Sequence, residues 1–345
     1  MRDKIKIKYN PFVSIICVTY NRRPFFPAFF QCIRNQDYPA SRYEVIIVDD
    51  GTDKVRDLVL HANIPQIKYF ELPEKMTLGK KRNYSHTLID KRSQFITYFD
   101  DDDYHHPSRV SHAVEMLSKY PNILCAGSSE LYVYFKHIQK MFQFGPYGPN
   151  HGTAGTFTFR RELLNETMYS DDACLAEEKF FLKNYTIPFL QLDPMKTILV
   201  VSHKHNTFDK TNLLENRNPE LVKESSLTIE CFISRKNETK IRSFFLTEVD
   251  ELLMKYELGE AKYKPDVLKQ IVEINLERDR IQKELDNQSE ICISKAGQVD
   301  VPLSKVEIVK LLTGQQEEIQ RLLNLLSKYE KVFSSNNLMA TVPLV

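Results

Sequence analysis

Between residues 12 and 126, short β-branched runs alternate with helix-like segments: "FVSIICVT", "FFPAFFQCIRNQ", "YEVIIVDD", "DKVRDLVLHA", "IKYFEL", "GKKRNYSHTLID", "SQFITYFDD" and "PSRVSHAVEMLSKY". Strand and helix taken in turn, with short connections, are the pattern of βαβ units. The chain is therefore expected to build a mostly parallel sheet covered by helices on both faces.

From residue 128 the pattern changes to aromatic-rich alternation, "ELYVYFKHIQKMFQF", then a Gly/Pro loop, "GPYGPNHGTAG", then "TFTFRR". These read as longer, partly antiparallel strands joined by a loop that needs unusual backbone angles. A helix-like "LAEEKFFLKN" and a strand-like "KTILVVSH" follow, closing a first domain over residues 1–218. The remainder, 219–345, is helical and charged. Val267, Ile271, Ile274, Ile281 and Leu285 recur at alternating four- and three-residue spacing, and Ser304 with Glu307 has capping-box spacing ahead of an amphipathic stretch. Helices packed within their own domain are the plainer reading, and self-association through them the other.

At 345 residues and 42% hydrophobic content the chain can bury a substantial core. Lysine and arginine (47) nearly balance aspartate and glutamate (46), so no overall field draws it to nucleic acid or an anionic membrane. Six scattered cysteines without a CxxC pair suit a reducing compartment. With neither a signal-peptide pattern in "MRDKIKIKYNPF" nor a run of membrane-spanning length, the expected location is cytoplasmic.

In an open parallel sheet, ligands bind beyond the carboxyl ends of the strands. The residues found there are Thr19, Tyr20 and Asn21 after the first strand; Asp49, Asp50 and Gly51 after the second; Gly79, Lys80, Lys81, Arg82 and Asn83 heading a later helix; and Asp100 to Asp103 after the next strand. Four consecutive carboxylates repel one another and call for a neutralising cation. An aromatic ring, carboxylates and cationic groups on one face match a nucleoside diphosphate with a divalent metal. A tyrosine or an aspartate can meet a pyrimidine base, Arg82 and Lys80 can meet phosphate oxygens, and an aspartate can hold Mg²⁺ or Mn²⁺. Farther on, "VVSHKHNTF" sets His203 and His205 two apart; on a continuing strand both imidazoles share one face, and one could join the metal, with His205 slightly preferred.

"VSIICVTYNR", "VIIVDDGT", "GKKRN" and "ITYFDDDDYHHP" resemble, in order, the motifs of family 2 glycosyltransferases of the GT-A fold, over roughly residues 12 to 210. The resemblance implies a metal-dependent, inverting transfer of a sugar from a nucleotide-diphosphate sugar to an acceptor hydroxyl. In it Asp102 binds Mn²⁺ or Mg²⁺, Asp100 lies near the ribose or shares the metal, Asp101 belongs to the donor site and Asp103 supports the motif from behind. Tyr20 and the Asp49/Asp50 pair fall at the base, with Arg82 near the base or the diphosphate. The tyrosine and the aspartate pair favour uridine diphosphate. The family's late acidic pair, usually Glu-Asp, here reads Glu177 and Glu178; Glu178 would be the base, one methylene longer than usual. Acceptor choice, whether glycan, protein, lipid or small molecule, is expected along the aromatic strands and the loop from Gly145 to Gly155.

Each motif also has a plainer explanation: an acidic turn capping a helix, an Asp-Gly turn, an exposed basic helix start, a solvated Glu-Glu face, or aromatics in the core. Two other functions compete. A sugar-nucleotide nucleotidyltransferase would need a Gly-rich phosphate loop where this chain reads "TYNRRPFF", and an inactive scaffold acting through its C-terminal helices would have no reason to keep four aspartates.

Overall fold

The computed structural model describes residues 10–206, 210–215, 218–287, 292–293, 301–302 and 305–335. The stretch 1–9, Thr207, Phe208 and Ser304, and the side chain of Leu285, lie outside what is described. Strands β1 (Phe12–Thr19), β2 (Tyr43–Asp49), β3 (Ile67–Glu71) and β4 (Ser93–Tyr98) alternate with helices α1 (Phe26–Arg34), α2 (Arg56–Ala62) and α3 (Leu78–Thr87), as the sequence alternation requires. After β4 come β5 (Tyr104–His105), α4 (Arg109–Lys119), β6 (Cys125–Gly127), β7 (Leu131–Phe135), β8 (Lys140–Phe144) and β9 (Thr158–Arg160). The series ends with α5 (Glu178–Phe181), β10 (Phe189–Gln191), β11 (Ile198–Ser202) and β12 (Val222–Ser225).

The larger sheet has the order β10-β6-β9-β4-β1-β2-β3. Its β1, β2, β3 and β4 are parallel and β9 runs antiparallel between β4 and β6, giving the expected mixed, mostly parallel sheet. Alternate residues of β1 face two cores: Val13, Ile15 and Cys17 pack with α1 and α4, while Ile16 packs with Tyr98, Phe159 and Phe181 on the other face. Burial on both faces is why these strands read as unbroken apolar runs.

A second sheet, β12-β8-β7-β11-β5, joins the first through the four aspartates. Asp100 to Asp103 are the turn between β4, inside one sheet, and β5, the edge of the other, where Tyr104 and His105 pair antiparallel with Leu199 and Ile198 of β11. The apolar strand thus runs into a carboxylate cluster because the chain changes sheets there. β7 and β8 form the antiparallel hairpin read from the aromatic alternation. Phe142 and Phe144 are core, and Tyr132 and Tyr134 pack against the neighbouring cluster.

The first compact unit runs to Ile274, past the residue 218 at which the sequence suggests that the first domain ends. The reason is packing. Ile229, Phe232, Ile241, Phe244, Phe245, Val249 and Leu253 bury their side chains with Phe25, Tyr104, Leu199 and Val201 in one cluster. The second unit, Asn275–Val345, contains the helix Lys305–Ser335, on which Leu312, Ile319, Leu322 and Leu326 are exposed. Among the described residues no helix is long and apolar enough to cross a membrane.

Because Phe232 is 2% exposed inside that shared cluster, Phe232→Ala is expected to cost about 3–5 kcal/mol. Urea unfolding of the full chain measures it, and a loss below about 1 kcal/mol would mean that residues 229–254 are not part of the core.

Candidate functional site

The carboxyl ends of β1, β2 and β4 lie side by side, with Thr19 opposite Asp49 and Ile16 opposite Tyr98. Above them opens a cleft of about 340 Å³ lined by Tyr20, Arg22, Lys75, Lys81, Arg82, Asp100 to Asp103, Glu177 and Glu178, among others. The strand-end positions therefore do converge, although not every residue singled out from the sequence faces the cleft.

Arginines of the chain answer part of the carboxylate repulsion. Arg22, from the turn after β1, sets its Nε 3.7 Å from Asp101 Oδ1 and its Nη2 3.3 Å from Asp102 Oδ2, and its Nη1 donates to the His205 carbonyl at 2.5 Å. Arg82, from α3, donates from Nε and Nη2 to Glu177 Oε1 at 3.0 and 2.9 Å and lies 3.9 Å from Asp100 Oδ1. Its guanidinium also stacks 4.2 Å from the centre of the Tyr98 ring. Both arginines are buried.

Compensation is incomplete. Burial and the neighbouring Asp102 push the Asp101 carboxyl up to about 7, and burial with Asp102 and Asp100 also raises Asp103. Burial works against ionised Asp102 too, but Arg22 and His203 hold it well below the usual carboxylate range. Asp101 Oδ2 is buried without a hydrogen-bond partner. The cluster thus retains a demand for positive charge.

The two histidines separate. β11 ends at Ser202, and a turn closed by Asn206 N–H donating to the His203 carbonyl (3.0 Å) breaks the strand alternation that would have put both rings on one face. His203 Nε2 lies 3.3 Å from Asp102 Oδ2, and its Nδ1 accepts from the His205 backbone N–H at 3.2 Å. His205, the ring preferred from the sequence, lies instead near Tyr256 and Gly259. Among the described residues no three His, Cys, Asp or Glu side chains gather into a metal cage. Asp102 and His203 offer one oxygen and one nitrogen, a donor set that fits Mg²⁺ or Mn²⁺ completing its shell with substrate phosphates and water.

The motif after β2 is largely consumed by the fold. Asp49 accepts from Gly51 N–H (2.9 Å), Val55 N–H (3.0 Å) and Tyr69 Oη (2.6 Å). Asp50 accepts from Met76 N–H at 2.7 Å and pairs with Lys81. Asn21, at φ 52°, accepts from Thr52 and Asp53 N–H at 2.8 and 3.0 Å, clamping the first strand end to this turn. Thr19 gives its carbonyl to Lys81 Nζ at 3.2 Å. Tyr20 faces the cleft, with Lys75 and Lys81 Nζ 5.3 and 5.9 Å from its ring centre. Lys80 is exposed and outside the cleft; one residue along α3, a turn of about 100°, carries Lys81 inward instead.

Glu177 and Glu178 sit where the loop before α5 turns sharply. Ala176 has φ 51°, a left-handed conformation rare for a residue with a β-carbon. The loop is fixed to α3 by Gly79 N–H donating to the Ala173 carbonyl at 2.8 Å, and a β-carbon on Gly79 would overlap the Ser170 carbonyl. Glu177 is bound to Arg82, whereas burial and the charge of Glu177 push the Glu178 carboxyl up to about 7. A carboxyl with that affinity, open to the cleft, can exchange protons near neutral pH. In the sequence Lys81 stands among the helix-head residues without an assigned role, Arg22 only closes the motif "VSIICVTYNR", and Lys75 carries no signal. Arg22 was signalled by its place two residues beyond Tyr20.

Residues 14–179 match the model of glycosyl transferase family 2. WcaA of Escherichia coli, a glycosyl transferase named for colanic acid biosynthesis, is 32% identical over 108 residues, covering 30% of this chain and 37% of that protein. The GalNAc(5)-diNAcBac-PP-undecaprenol β-1,3-glucosyltransferase of Campylobacter jejuni is 32% identical over 96 residues, 27% of this chain and 30% of that one. The chain therefore spans about a third of the length of these relatives. Mannosyltransferase PcManGT of Pyrobaculum calidifontis, solved with GDP-Man and Mn²⁺, aligns at 15% identity and a TM-score of 0.47 over 78% of this chain and 81% of that one. A likeness so distant adds nothing to what the site itself supports.

Arg82→Met would leave Glu177 buried without its partner, at an expected cost of about 3–5 kcal/mol. The Arg82→Met/Glu177→Met pair should recover part of that loss in urea unfolding, because neither charge is then stranded. Equal loss in single and double variants would show that the ion pair does not couple the two residues.

Proposed function

Residues 14–179 form a domain of glycosyl transferase family 2 on a mixed α/β sheet of the GT-A type, and from that premise we propose that the chain transfers a sugar from a nucleotide-diphosphate sugar to an acceptor hydroxyl with inversion. The observation that carries the reading is the cleft in which a tyrosine ring, six cationic side chains (Arg22, Lys75, Lys81, Arg82, Lys210 and Lys264), the under-neutralised aspartates and a carboxyl of raised proton affinity meet.

In this reading Tyr20 stacks on the base and uridine is the favoured nucleoside. Asp49 and Asp50 act from behind the base site, by holding the Asp-Gly turn and by positioning Lys81. Lys75, Lys81 and Arg22 face the phosphates, and Arg82 orients Glu177 while bridging toward Asp100. Asp102 and His203 would hold Mn²⁺ or Mg²⁺, with Asp100 and Asp101 beside them and His205 outside the set. When bound, such an ion supplies charge neutralisation of the leaving diphosphate. Glu178 takes the proton of the acceptor hydroxyl as its oxygen attacks the anomeric carbon; the bond to the diphosphate oxygen breaks, and its electron pair leaves with the diphosphate.

The acceptor is proposed to enter past the loop from Gly145 to Gly155, where Tyr147, His151 and Tyr185 form a run of neighbouring rings, a surface suited to the apolar face of a sugar. Self-association through the exposed leucines of the helix Lys305–Ser335 and a cytoplasmic location complete the reading. The location is supported by Cys17, Cys32, Cys125, Cys174 and Cys231, all free thiols.

Release of nucleoside diphosphate from a panel of UDP- and GDP-sugars, with and without Mn²⁺, tests the reaction; no turnover of any donor under any condition would contradict it. Because the base must be ionised, the rate should rise with pH and level off, with a midpoint of about 7. Glu178→Gln should bind donor normally and transfer at least about 100-fold more slowly. Undiminished transfer would move the base elsewhere.

A further inference from the structure

The family match ends at residue 179, yet the loop that carries Glu177 and Glu178 is held on one side by a segment well beyond it. Residues 256–264 run beside the first strand end: Tyr256 Oη donates to Asp53 Oδ2 at 2.9 Å, Asn21 Nδ2 to the Leu258 carbonyl at 3.3 Å, and Tyr20 Oη to the Tyr263 carbonyl at 3.3 Å. The helix Pro265–Asn287 follows. In its first turns Asp266 pairs with Lys75 and Val267 is buried where it lines the cleft; Gln270, four and three residues farther on, continues the same face. Its neighbour Lys269 is exposed, 3.7 Å from Glu273.

The Gln270 amide is taken up by the loop. Its Oε1 accepts from Cys174 and Leu175 N–H at 2.7 and 2.8 Å, and its Nε2 donates to the Asp172 carbonyl at 3.2 Å. Both lone pairs of the oxygen are thereby used. From the other side, α3 and the residue before it hold the stretch ahead. Thr77 Oγ1 donates to the Asp171 carbonyl, Gly79 N–H to the Ala173 carbonyl at 2.8 Å, and Asn83 Nδ2 to the Tyr169 carbonyl at 2.9 Å. Arg82 then holds the Glu177 carboxylate. Cys174 and Leu175 lie between these anchors, immediately before Ala176, whose φ of 51° turns the chain. A left-handed residue with a β-carbon keeps that conformation only while its surroundings enforce it. Arg82 anchors Glu177 by its side chain, whereas the direction of Glu178 is set by the backbone on which it sits.

Resting on the assignment of Glu178 as base, we infer that Gln270 is a positioning residue for that base. It fixes the backbone of Cys174 and Leu175, and so the left-handed turn at Ala176 from which Glu178 enters the cleft. The family domain thus depends, for the aim of its proton acceptor, on a side chain from outside its bounds. Loss of such a residue slows transfer without weakening the donor complex.

The test is release of nucleoside diphosphate by the full-length chain from the sugar nucleotide that it turns over fastest. It is measured in wild type, Gln270→Met, Gln270→Ala, Lys269→Met, Glu178→Gln and the pair Gln270→Met/Glu178→Gln. Both Gln270 variants should lower kcat about tenfold or more with donor KM within about twofold of wild type, and Lys269→Met should match wild type. Alanine, a strong helix former that adds no bulk, keeps the test open if methionine does not pack. On top of Glu178→Gln the Gln270 change should have no further effect, because the group it aims is gone. Wild-type kcat in the Gln270 variants would overturn the inference. So would an equal fold-loss in the Glu178→Gln background, or a donor KM that rises in step with the fall in kcat, either of which would make Gln270 a support of the fold alone. Glu178→Gln that transfers as fast as wild type, or wild type without turnover, would remove the base assignment and the inference with it. A slow Glu178→Gln beside unaffected Gln270 variants would overturn the inference and leave that assignment standing.

Discussion

The contact of Arg22 with Asp101 and Asp102, and of Arg82 with Glu177 toward Asp100, makes the rest of the cleft tenable. Two unit charges 4 Å apart interact by about 4 kcal/mol at the effective dielectric of a protein boundary, so uncompensated aspartates in the turn between two sheets would weigh heavily against a domain of ordinary stability. The guanidinium groups, 3.3 to 3.9 Å from the aspartate oxygens, offset part of that repulsion. The remainder appears as Asp101 and Asp103 carboxyls that resist ionisation. A fold that retains such a residue of unmet charge is set to gain from a cation and from the polyanion that comes with it.

The same arrangement gives the two glutamates different proton affinities. Arg82 ties up Glu177, and the charge of Glu177, added to burial, raises the affinity of Glu178 for a proton. Two adjacent glutamates thereby acquire different characters, one an ion-pair anchor and the other a group poised near neutrality. The left-handed Ala176 and the close approach of Gly79 to the Ser170 carbonyl set their direction. Backbone strain of this kind is tolerated where the surrounding contacts over-determine it.

Much of this was legible in the sequence because a parallel sheet gathers its strand ends whatever the side chains elsewhere. Tyr20, Arg82, Asp100 to Asp103 and the glutamate pair reach one cleft for that reason. What escaped depends on angles that spacing does not carry. Lys80 and Lys81 differ by one helical step, and only the packing of α3 turns Lys81 inward. His203 and His205 part because the strand stops at Ser202. The Asp-Gly turn after β2 looked like ligand chemistry, but Asp49 spends its carboxylate on Gly51, Val55 and Tyr69. Residues 229–254 read as part of a charged helical tail because their apolar side chains face a core built from Phe25, Tyr104 and Leu199, far away in the chain.

The proposed function requires that the aspartate cluster remain short of positive charge until a cation and a diphosphate arrive together. Counting bound Mn²⁺ by electron paramagnetic resonance, in wild type and in Asp102→Asn, with and without UDP, addresses it directly. The account predicts weak Mn²⁺ binding by the protein alone, one tightly held ion once UDP is present, and loss of that ion in Asp102→Asn. Mn²⁺ binding that ignores UDP, or that survives the Asp102 substitution unchanged, would contradict it.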